Sequence, residues 1–520
     1  MRPGTVLRLA VTGTRTDVTR ILLTAFGAVL ATLALLSAAT VLSIPNPHQT
    51  VSPEVVAYAP YTNALLRESG LRPGLAFALV VLTIPALLFV GQCARLGAPA
   101  RDRRLAAIRL AGATPRQGLV VAAAESGVAM ALGTVVGLLV YLAGRRLIDA
   151  PNARGLRPLP TDVLPDWRVI AALVIGLPVL SALVTAGLLH RVVVTPLGVV
   201  RRVRTESPRP LPGLLIVFGV VLFALIAPAE RYAGRHEIAL PFWVLPLVVF
   251  LGGLSATIGV VTGAGWISYT VGRLLARYAR RPAGLIAARR LQADPWQGSR
   301  ALAALLAAVL LAAGTAWIAS WYRTQARDEV LNDHLQHLAF HEPDSAYQPD
   351  PFYERAVHLA GYGALVAALI AAAGLAVAVA NSVVERRRSL ASLTASGVPR
   401  GVLSRAIVWQ TMVVAVPAIA VAIATGVALS IGYAQPTVRE GGSTYSCSAP
   451  PENPHACESA DPESQGATVV RVPTVAMRVP VPWRDLGTIG VWGLGSAMVT
   501  AGLGLVFLRS STAPEELRTT

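Results

Sequence analysis

Lysine is absent from this chain of 520 residues, and charge of either sign is scarce. All 45 residues counted as Lys or Arg are arginine, whereas a phosphate-binding P-loop requires the lysine of G-x-x-x-x-G-K-[ST]. The chain therefore contains no Walker A motif. Only 14% of its residues are charged, against about 25% in soluble globular domains. This composition excludes an ordinary soluble fold.

Cysteine and metal-binding patterns are also rare. Three cysteines are too few for a disulfide scaffold, and the eight histidines show no metal-ligand spacing beyond the weak pair His334 and His337. No nucleophile elbow or glycine-rich phosphate loop is present. We therefore expect no catalytic residue, no cofactor site and no metal site in this chain.

Apolar runs of membrane-spanning length dominate the sequence instead. A bilayer core about 30 Å thick requires about 20 apolar helical residues, and backbone groups in lipid must pair within the segment, which favours helices. We predict an all-α polytopic membrane protein with about ten spans. The predicted spans are Ile21–Ile44, Pro73–Ala94, Leu119–Ala143, Val169–Leu189, Leu211–Pro228, Ile238–Trp266, Ala301–Trp321, Leu359–Val384, Ala406–Tyr433 and Leu486–Leu508.

The distribution of arginine predicts the orientation of these spans. With both termini in the cytoplasm, the inner segments hold 29 arginines and the outer segments hold 16. Net charge is then +22 on the inner face and −4 on the outer face. Because arginine near span ends is enriched on the cytoplasmic side, we expect a multi-pass protein of the cell membrane with both termini inside. Basic residues in short loops beside spans indicate contact with membrane lipid and argue against nucleic acid.

Two external segments lie in the second half of the chain, at about 322–358 and 434–485. The second contains Cys447 and Cys457 in the sequence CSAPPENPHAC. On the outer, oxidising side a disulfide between them is the favoured interpretation, and two free thiols are the alternative. Cys93, at the inner end of the second span, is interpreted as a packing residue.

An internal repeat is the most informative pattern. The segment RDRRLAAIRLAG follows the second span and RRRSLASLTASG follows the eighth, with an offset of 285 residues. Each segment is followed by a proline and then a long span. We therefore predict two four-helix repeats, at 1–205 and 283–520, joined by a helix pair at 206–282. Six spans separate the repeats, so the two units share one topology.

The repeated segment has the pattern of a short amphipathic helix at the inner surface, ended by a glycine. Two interpretations of it are open from the residues alone. It is either a basic cluster on lipid or a docking element that transmits movement from a cytoplasmic partner into the helix bundle.

Two polar residues occupy corresponding places within the third and ninth runs, Glu125 and Gln410. An acid in a span is a functional-site hypothesis by default. Glu125 lies only six residues past the start of its run, close to the inner interface. We therefore favour a structural role, in which it pairs with an arginine of the repeated segment, over a proton relay.

The repeated segment resembles the coupling helix of the FtsX-like permease family, the MacB-type permeases of ABC transporters. The resemblance implies that the segment contacts the transporter's ATPase. It is carried by the arginines, the Leu-Ala pair, the glycine and the Glu of the following Gly-rich span. The implied coupling residues are Arg101, Arg103, Arg104, Leu105, Arg109 and Gly112 in the first copy, and Arg386, Arg388, Leu390 and Gly397 in the second.

The second copy departs from this pattern at two positions. Thr394 stands where the first copy has Arg109, and Gln410 stands where it has Glu125. Each departure removes a charge, so the two implied ATPase contacts are expected to be unequal. The ten-span duplicated arrangement is similar to the antimicrobial-peptide exporters of the family, whose large external domain between spans seven and eight is absent here.

The resemblance implies a permease subunit that is not itself an enzyme. ATP and Mg²⁺ would bind a separate ATPase, two copies per transporter, and a second permease or an external accessory protein could join the complex. The expected activity is mechanical export or extraction of a hydrophobic or peptide substrate at the outer leaflet, which includes antibiotic resistance. The alternatives are a secondary transporter and an ATPase-linked signalling scaffold that controls a wall hydrolase.

Overall fold

The fold is described from a computed structural model of the chain. It describes residues 15–45, 60–67, 72–94, 106–107, 110, 112–153, 155–193, 211–236, 241, 244–340, 352–385, 396–440, 445–449, 453, 455, 457, 464, 468–471 and 475–511.

The first part of the chain forms long apolar helices with short connections. They are α1 (Arg15–Leu42), the single turn α2 (Ala64–Arg67), α3 (Arg72–Cys93), α4 (Pro115–Ile148) and α5 (Trp167–Val193). Helix α1 packs against α3 and α4, and α4 packs against α5. These four long helices therefore form one packed group.

The middle and the second part of the chain continue in the same way. The middle helices are α6 (Pro212–Ala224), α7 (Ile226–Arg235), α8 (Val244–Tyr278) and α9 (Pro282–Ala293). The later helices are α10 (Pro295–Phe340), α11 (Phe352–Glu385), α12 (Arg400–Tyr433) and α13 (Trp483–Ser511). Helix α10 packs against α11 and α12, and α12 packs against α13, which repeats the contact pattern of the first group.

The largest apolar core surrounds α10. It joins residues of α8, α10, α11, α12 and α13, with Leu306, Ala308, Ala371 and Ala415 fully buried. The middle helices α6 and α8 contact each other and also α12, and α8 contacts α10. The middle pair therefore lies against the second group of helices.

Glycine allows the closest helix crossings in both groups. Gly133 of α4 lies against the backbone of Ala25 in α1, and Gly426 of α12 lies against the carbonyl oxygen of Leu310 in α10. A Cβ atom at either position would overlap these neighbours. Small residues at such crossings permit the close backbone approach on which helix packing in lipid depends.

Nine helices in the described part of the chain are long and apolar enough to cross a membrane. They correspond to the first nine predicted spans, and this agreement confirms the predicted all-α polytopic membrane fold. The tenth predicted run forms α13, but α13 is not among the nine. The main difference in length lies at the seventh span, which runs over 37 residues from Leu302 to Leu338.

The predicted external segment 322–358 is therefore wrong as a loop in its first part, because α10 continues without a break to Phe340. Polar residues on this extension are buried: Thr324 is 4% exposed and Asp328 is 2% exposed. Polar residues that pack against protein have the same composition as those of a solvated loop. The sequence alone therefore predicted a loop where the helix continues.

The predicted external segment 434–485 contains the strands of the described part of the chain. Strand β1 (Thr437–Glu440) pairs antiparallel with β4 (Val475–Arg478), and β2 (Tyr445–Ser448) pairs antiparallel with β3 (Thr468–Arg471). Thr437 pairs with Arg478 and Ser448 pairs with Thr468, so the second ladder is nested inside the first. We call this unit the outer hairpin.

Candidate functional site

Two equivalent turns lie at the inner ends of α4 and α12. Gly112 and Gly397 have φ angles of +94° and +90°, a left-handed conformation that glycine adopts without a Cβ penalty. Three residues after each glycine, at Pro115 and Arg400, a helix of 34 residues begins. The two glycines and the two helix starts are each 285 residues apart, which is the offset of the sequence repeat.

The two helix starts differ in their capping. The side chain of Thr114 accepts a hydrogen bond from the Gln117 amide at 3.3 Å, and the Gln117 side chain accepts one from the Thr114 amide at 3.0 Å. This reciprocal pair is a capping box. The start of α12 has Pro399 at the same position, with no side-chain cap. The first turn is therefore fixed more firmly than the second.

The structure describes only part of the predicted coupling segments. Ala106, Ala107 and Leu110 are helical and exposed, and Leu110 is 90% exposed. Gly112 and Gly397, the last residues of the two segments, have the left-handed conformation described above. The remaining predicted coupling residues lie outside the described residues: Arg101, Arg103, Arg104, Leu105, Arg109, Arg386, Arg388 and Leu390.

Glu125 forms a buried ion pair with Arg20. Their side chains are 7% and 6% exposed, and an Nη2 hydrogen of Arg20 is donated to Oε1 of Glu125. Arg20 lies near the start of α1, so the pair joins the inner ends of α1 and α4. The arginines of the repeated segment, from which a partner of Glu125 was predicted, lie outside the described residues. A buried charge is tolerated when it is paired and hydrogen-bonded.

Gln410 takes the position of Glu125 in the second group of helices. It is half-buried on α12, 285 residues after Glu125. An amide cannot form an ion pair, so the second group lacks this carboxylate at the inner end of its corresponding helix. One of the two charge differences predicted between the copies is therefore the difference between Glu125 and Gln410. It falls on a position that forms an ion pair in the first copy.

The helices that lead into the two segments contact each other. Helices α3 and α11 pack together, and a Cβ on Gly374 of α11 would lie 3.5 Å from Cδ2 of Phe89 in α3. Both helices run towards the inner face. The two repeated segments therefore follow helices that are neighbours in the fold. No motif in the sequence indicates this contact, because it depends on how the two groups of helices pack.

The outer hairpin is attached to the middle of α10. Nε1 of Trp317 donates a hydrogen bond to the carbonyl oxygen of Ala434 at 3.0 Å, and Oγ of Ser320 donates one to that of Pro480 at 2.6 Å. Cys447 and Cys457 are joined by a disulfide. Helix α10 reaches Ser320 25 residues after its start at Pro295, about 38 Å at 1.5 Å per residue, and continues for another 20 residues to Phe340.

A polar cluster covers the outer end of the first group of helices. The Tyr61 hydroxyl donates a hydrogen bond to Oδ1 of Asp162 at 2.8 Å, and burial followed by this bond raises the pKa of Tyr61. Oδ1 of Asp149 accepts hydrogen bonds from Oγ1 of Thr161 at 2.7 Å and Nε of Arg157 at 3.0 Å. These two bonds lower the pKa of Asp149.

Metal-binding and thiol features in the described part of the chain are few. No group of three or more potential metal-binding side chains occurs there. His337 of the weak histidine pair lies 3.5 Å from Oδ2 of Asp333, and Cys93 is a buried free cysteine.

Comparison with known protein families gives a match to the part of the chain that contains the second turn and the helices on either side of it. Residues 362–454 match the family model for the FtsX-like permease C-terminal domain. This segment is similar to the C-terminal domain of FtsX-like permeases. The match runs through α11, the turn at Gly397 and α12, and ends within the outer hairpin. It confirms the resemblance to the FtsX and MacB type of permease and supports a multi-pass membrane permease of the ABC-transporter type. No curated protein and no solved structure gives a significant match to the chain.

Proposed function

We propose that this chain is the transmembrane permease subunit of an ABC transporter. A separate ATPase subunit would hydrolyse ATP with Mg²⁺, in two copies per transporter, at the cell membrane. The permease would use that energy to extract or export a hydrophobic or peptide substrate, such as an antibiotic, at the outer leaflet. The chain itself would carry no catalytic site.

The observation that carries this proposal is the pair of equivalent turns at Gly112 and Gly397. Each turn connects a segment at the inner surface to a helix of 34 residues. The family match covers the second turn and its helix. The equal helix lengths and the common offset of 285 residues support the proposed duplication of residues 1–205 in residues 283–520.

The contacts of the two turns suggest how movement would be transmitted. A displacement of the first segment would move the start of α4, and the buried Arg20–Glu125 pair would pass that movement to α1. A displacement of the second segment would move α12, which packs along α10. Because α10 holds the outer hairpin through Trp317 and Ser320, movement at the inner face would reach the outer face through one continuous helix.

The proposal is tested by purifying the tagged full-length chain from membranes of its own host. We expect an ABC ATPase to co-purify and its ATP hydrolysis to depend on the permease. Arg103→Glu and Arg388→Glu, which occupy equivalent positions of the two segments, should each reduce the amount of bound ATPase. Arg231→Glu, an exposed arginine at the outer end of α7, is the matched control and should leave it unchanged. Transport that is driven by an ion gradient without any ATPase would contradict the proposal and favour a secondary transporter.

A further inference from the structure

Helices α8 and α9 form an antiparallel helical hairpin on the inner side of the protein. A Cβ on Gly272 of α8 would lie 2.9 Å from the Cβ of Leu291 in α9, and one on Gly284 would lie 3.4 Å from the Cβ of Ala279. Nε2 of Gln292 also donates a hydrogen bond to the Gly272 carbonyl oxygen at 3.2 Å. These contacts fix α9 against the last turns of α8. We call residues 267–293 the inner hairpin.

The inner hairpin extends beyond the depth that the bilayer requires. Helix α8 contains 35 residues, or about 52 Å at 1.5 Å per residue, against a hydrocarbon core of about 30 Å. Trp266 lies where an aromatic residue of the inner interface is expected. Tyr278 lies 12 residues further along the helix, or about 18 Å along its axis. The tip of the hairpin is therefore in a position to reach beyond the lipid headgroups.

The surface of the inner hairpin is basic and contains exposed apolar side chains. It has six arginines and no acidic residue. Five of the arginines are exposed: Arg273, Arg277, Arg280, Arg281 and Arg289. Tyr278 is 71% exposed, Leu274 57% and Leu285 44%. Arginine and tyrosine around apolar side chains are enriched at protein–protein interfaces, so this surface fits an acidic protein partner.

The inner hairpin also packs against the helix that follows the second of the two turns. Its second helix, α9, packs against α12, the helix that begins at Arg400 directly after Gly397. In this half of the protein Thr394 of the repeated segment stands in place of an arginine, and Gln410 of α12 stands in place of Glu125. A basic surface beside α12 would give the same partner a contact in addition to the repeated segment.

We infer that the inner hairpin is a docking surface for an acidic face of the ATPase subunit that binds the second half of the permease. This inference rests on the proposed function and adds a contact outside the two repeated segments. The hairpin would anchor the ATPase, while the segment between α11 and α12 transmits its movement. Charge complementarity of this kind mainly affects the association rate and its salt dependence.

Photo-crosslinking within the full-length chain tests the position of this contact. A photoreactive phenylalanine analogue replaces Tyr278 at the tip of the inner hairpin or, as the matched control, Tyr232 at the outer end of α7, which is 60% exposed. Both positions are exposed, so the substitutions leave the fold in place. We expect the Tyr278 position to crosslink to the co-purifying ABC ATPase, identified by mass spectrometry, and the Tyr232 position not to do so.

Charge removal provides an independent measurement. The triple variant Arg277→Gln, Arg281→Gln and Arg289→Gln should bind the ATPase about tenfold more weakly. Each exposed charge pair contributes only a fraction of the binding free energy that corresponds to a tenfold change in affinity, and three such pairs together account for about that change. Binding should also depend less on salt concentration. The matched control replaces three exposed outer arginines with glutamine, Arg168, Arg231 and Arg235, and should bind like the wild type.

The outcomes separate this inference from the proposed function. If the wild-type chain holds an ABC ATPase but the triple glutamine variant binds it equally well, the docking surface is overturned and the proposed function stands. Crosslinks from the Tyr278 position to phospholipid alone would also overturn it and would assign the hairpin to the anionic lipid surface. If no ABC ATPase binds the wild-type chain, the proposed function and this inference both fail.

Discussion

At the scale of single residues, the buried ion pair of Arg20 and Glu125 shows most clearly how side-chain charge holds two helices, α1 and α4, together. Removing one partner of a buried ion pair leaves the other charge buried, a change that is usually far more costly than replacing both partners. The second group of helices offers a natural comparison, because Gln410 occupies the corresponding position without a charge.

Glu125→Leu should therefore destabilise the protein by about 3 kcal/mol, because Arg20 would lose its carboxylate partner in a buried site. Thermal unfolding in detergent measures the change. Gln410→Leu is the matched control and should change the stability by less than about 1 kcal/mol, because it removes a half-buried neutral amide and no charge. The double variant Arg20→Met with Glu125→Leu should recover more than half of the loss. Equal effects of Glu125→Leu and Gln410→Leu would show that the pair contributes nothing specific.

At the scale of secondary-structure elements, helix positions follow from apolar runs, whereas helix ends and partners do not. The predicted span Leu119–Ala143 lies within α4, because an apolar run of this length has no alternative to a helix in lipid. The extension of α10 to Phe340 was missed, since Thr324 and Asp328 resemble loop residues unless the surface that buries them is known. The pairing of Glu125 with Arg20 could not be predicted for a similar reason: Arg20 is 105 residues away in the sequence, and only the packing of α1 on α4 brings the two together.

The crossing of α1 and α4 gives a prediction for one glycine. Gly133→Ala should destabilise the protein by about 1–3 kcal/mol, the typical cost of overpacking, because its Cβ would overlap the α1 backbone at Ala25. Gly144→Ala is the control on the same helix, where a Cβ meets no heavy atom within 4 Å. Thermal unfolding of both variants in detergent measures the difference. Gly144→Ala should be neutral or slightly stabilising, because alanine is the better helix former. A Gly133→Ala variant as stable as Gly144→Ala would contradict the close crossing.

The disulfide gives a prediction for the outer hairpin. Cys447 and Cys457 close a loop with a sequence separation of 10, for which chain-entropy arguments give about 2–3 kcal/mol. Cys447→Ser with Cys457→Ser should therefore make the segment 434–485 cleavable at lower protease concentrations, while the helices stay intact. Limited proteolysis from the outer side, with and without reductant, measures this. Identical cleavage of wild-type protein in the two conditions would contradict a structural role of the disulfide.

At the scale of the whole molecule, one orientation of the helices decides on which side of the membrane the inner hairpin, the two turns and the disulfide lie. The excess of arginine on the segments predicted to face inwards, 29 against 16, favours cytoplasmic termini. The disulfide then lies on the outer face, where oxidising conditions preserve it. The inner hairpin and the turns at Gly112 and Gly397 lie together on the opposite face, where an ATPase has access to ATP.

Cysteine labelling tests this orientation directly. In a background without the three native cysteines, Tyr232→Cys should react with a membrane-impermeant thiol reagent in intact cells, and Tyr278→Cys should react only after permeabilisation. The two tyrosines are 60% and 71% exposed, so a difference in reactivity reports the side of the membrane and not burial. Leu110→Cys, at a residue that is 90% exposed, should behave like Tyr278→Cys because it belongs to the first repeated segment. If Leu110→Cys and Tyr278→Cys reacted in intact cells, the first repeated segment and the inner hairpin would face outwards and no cytoplasmic ATPase could act on them.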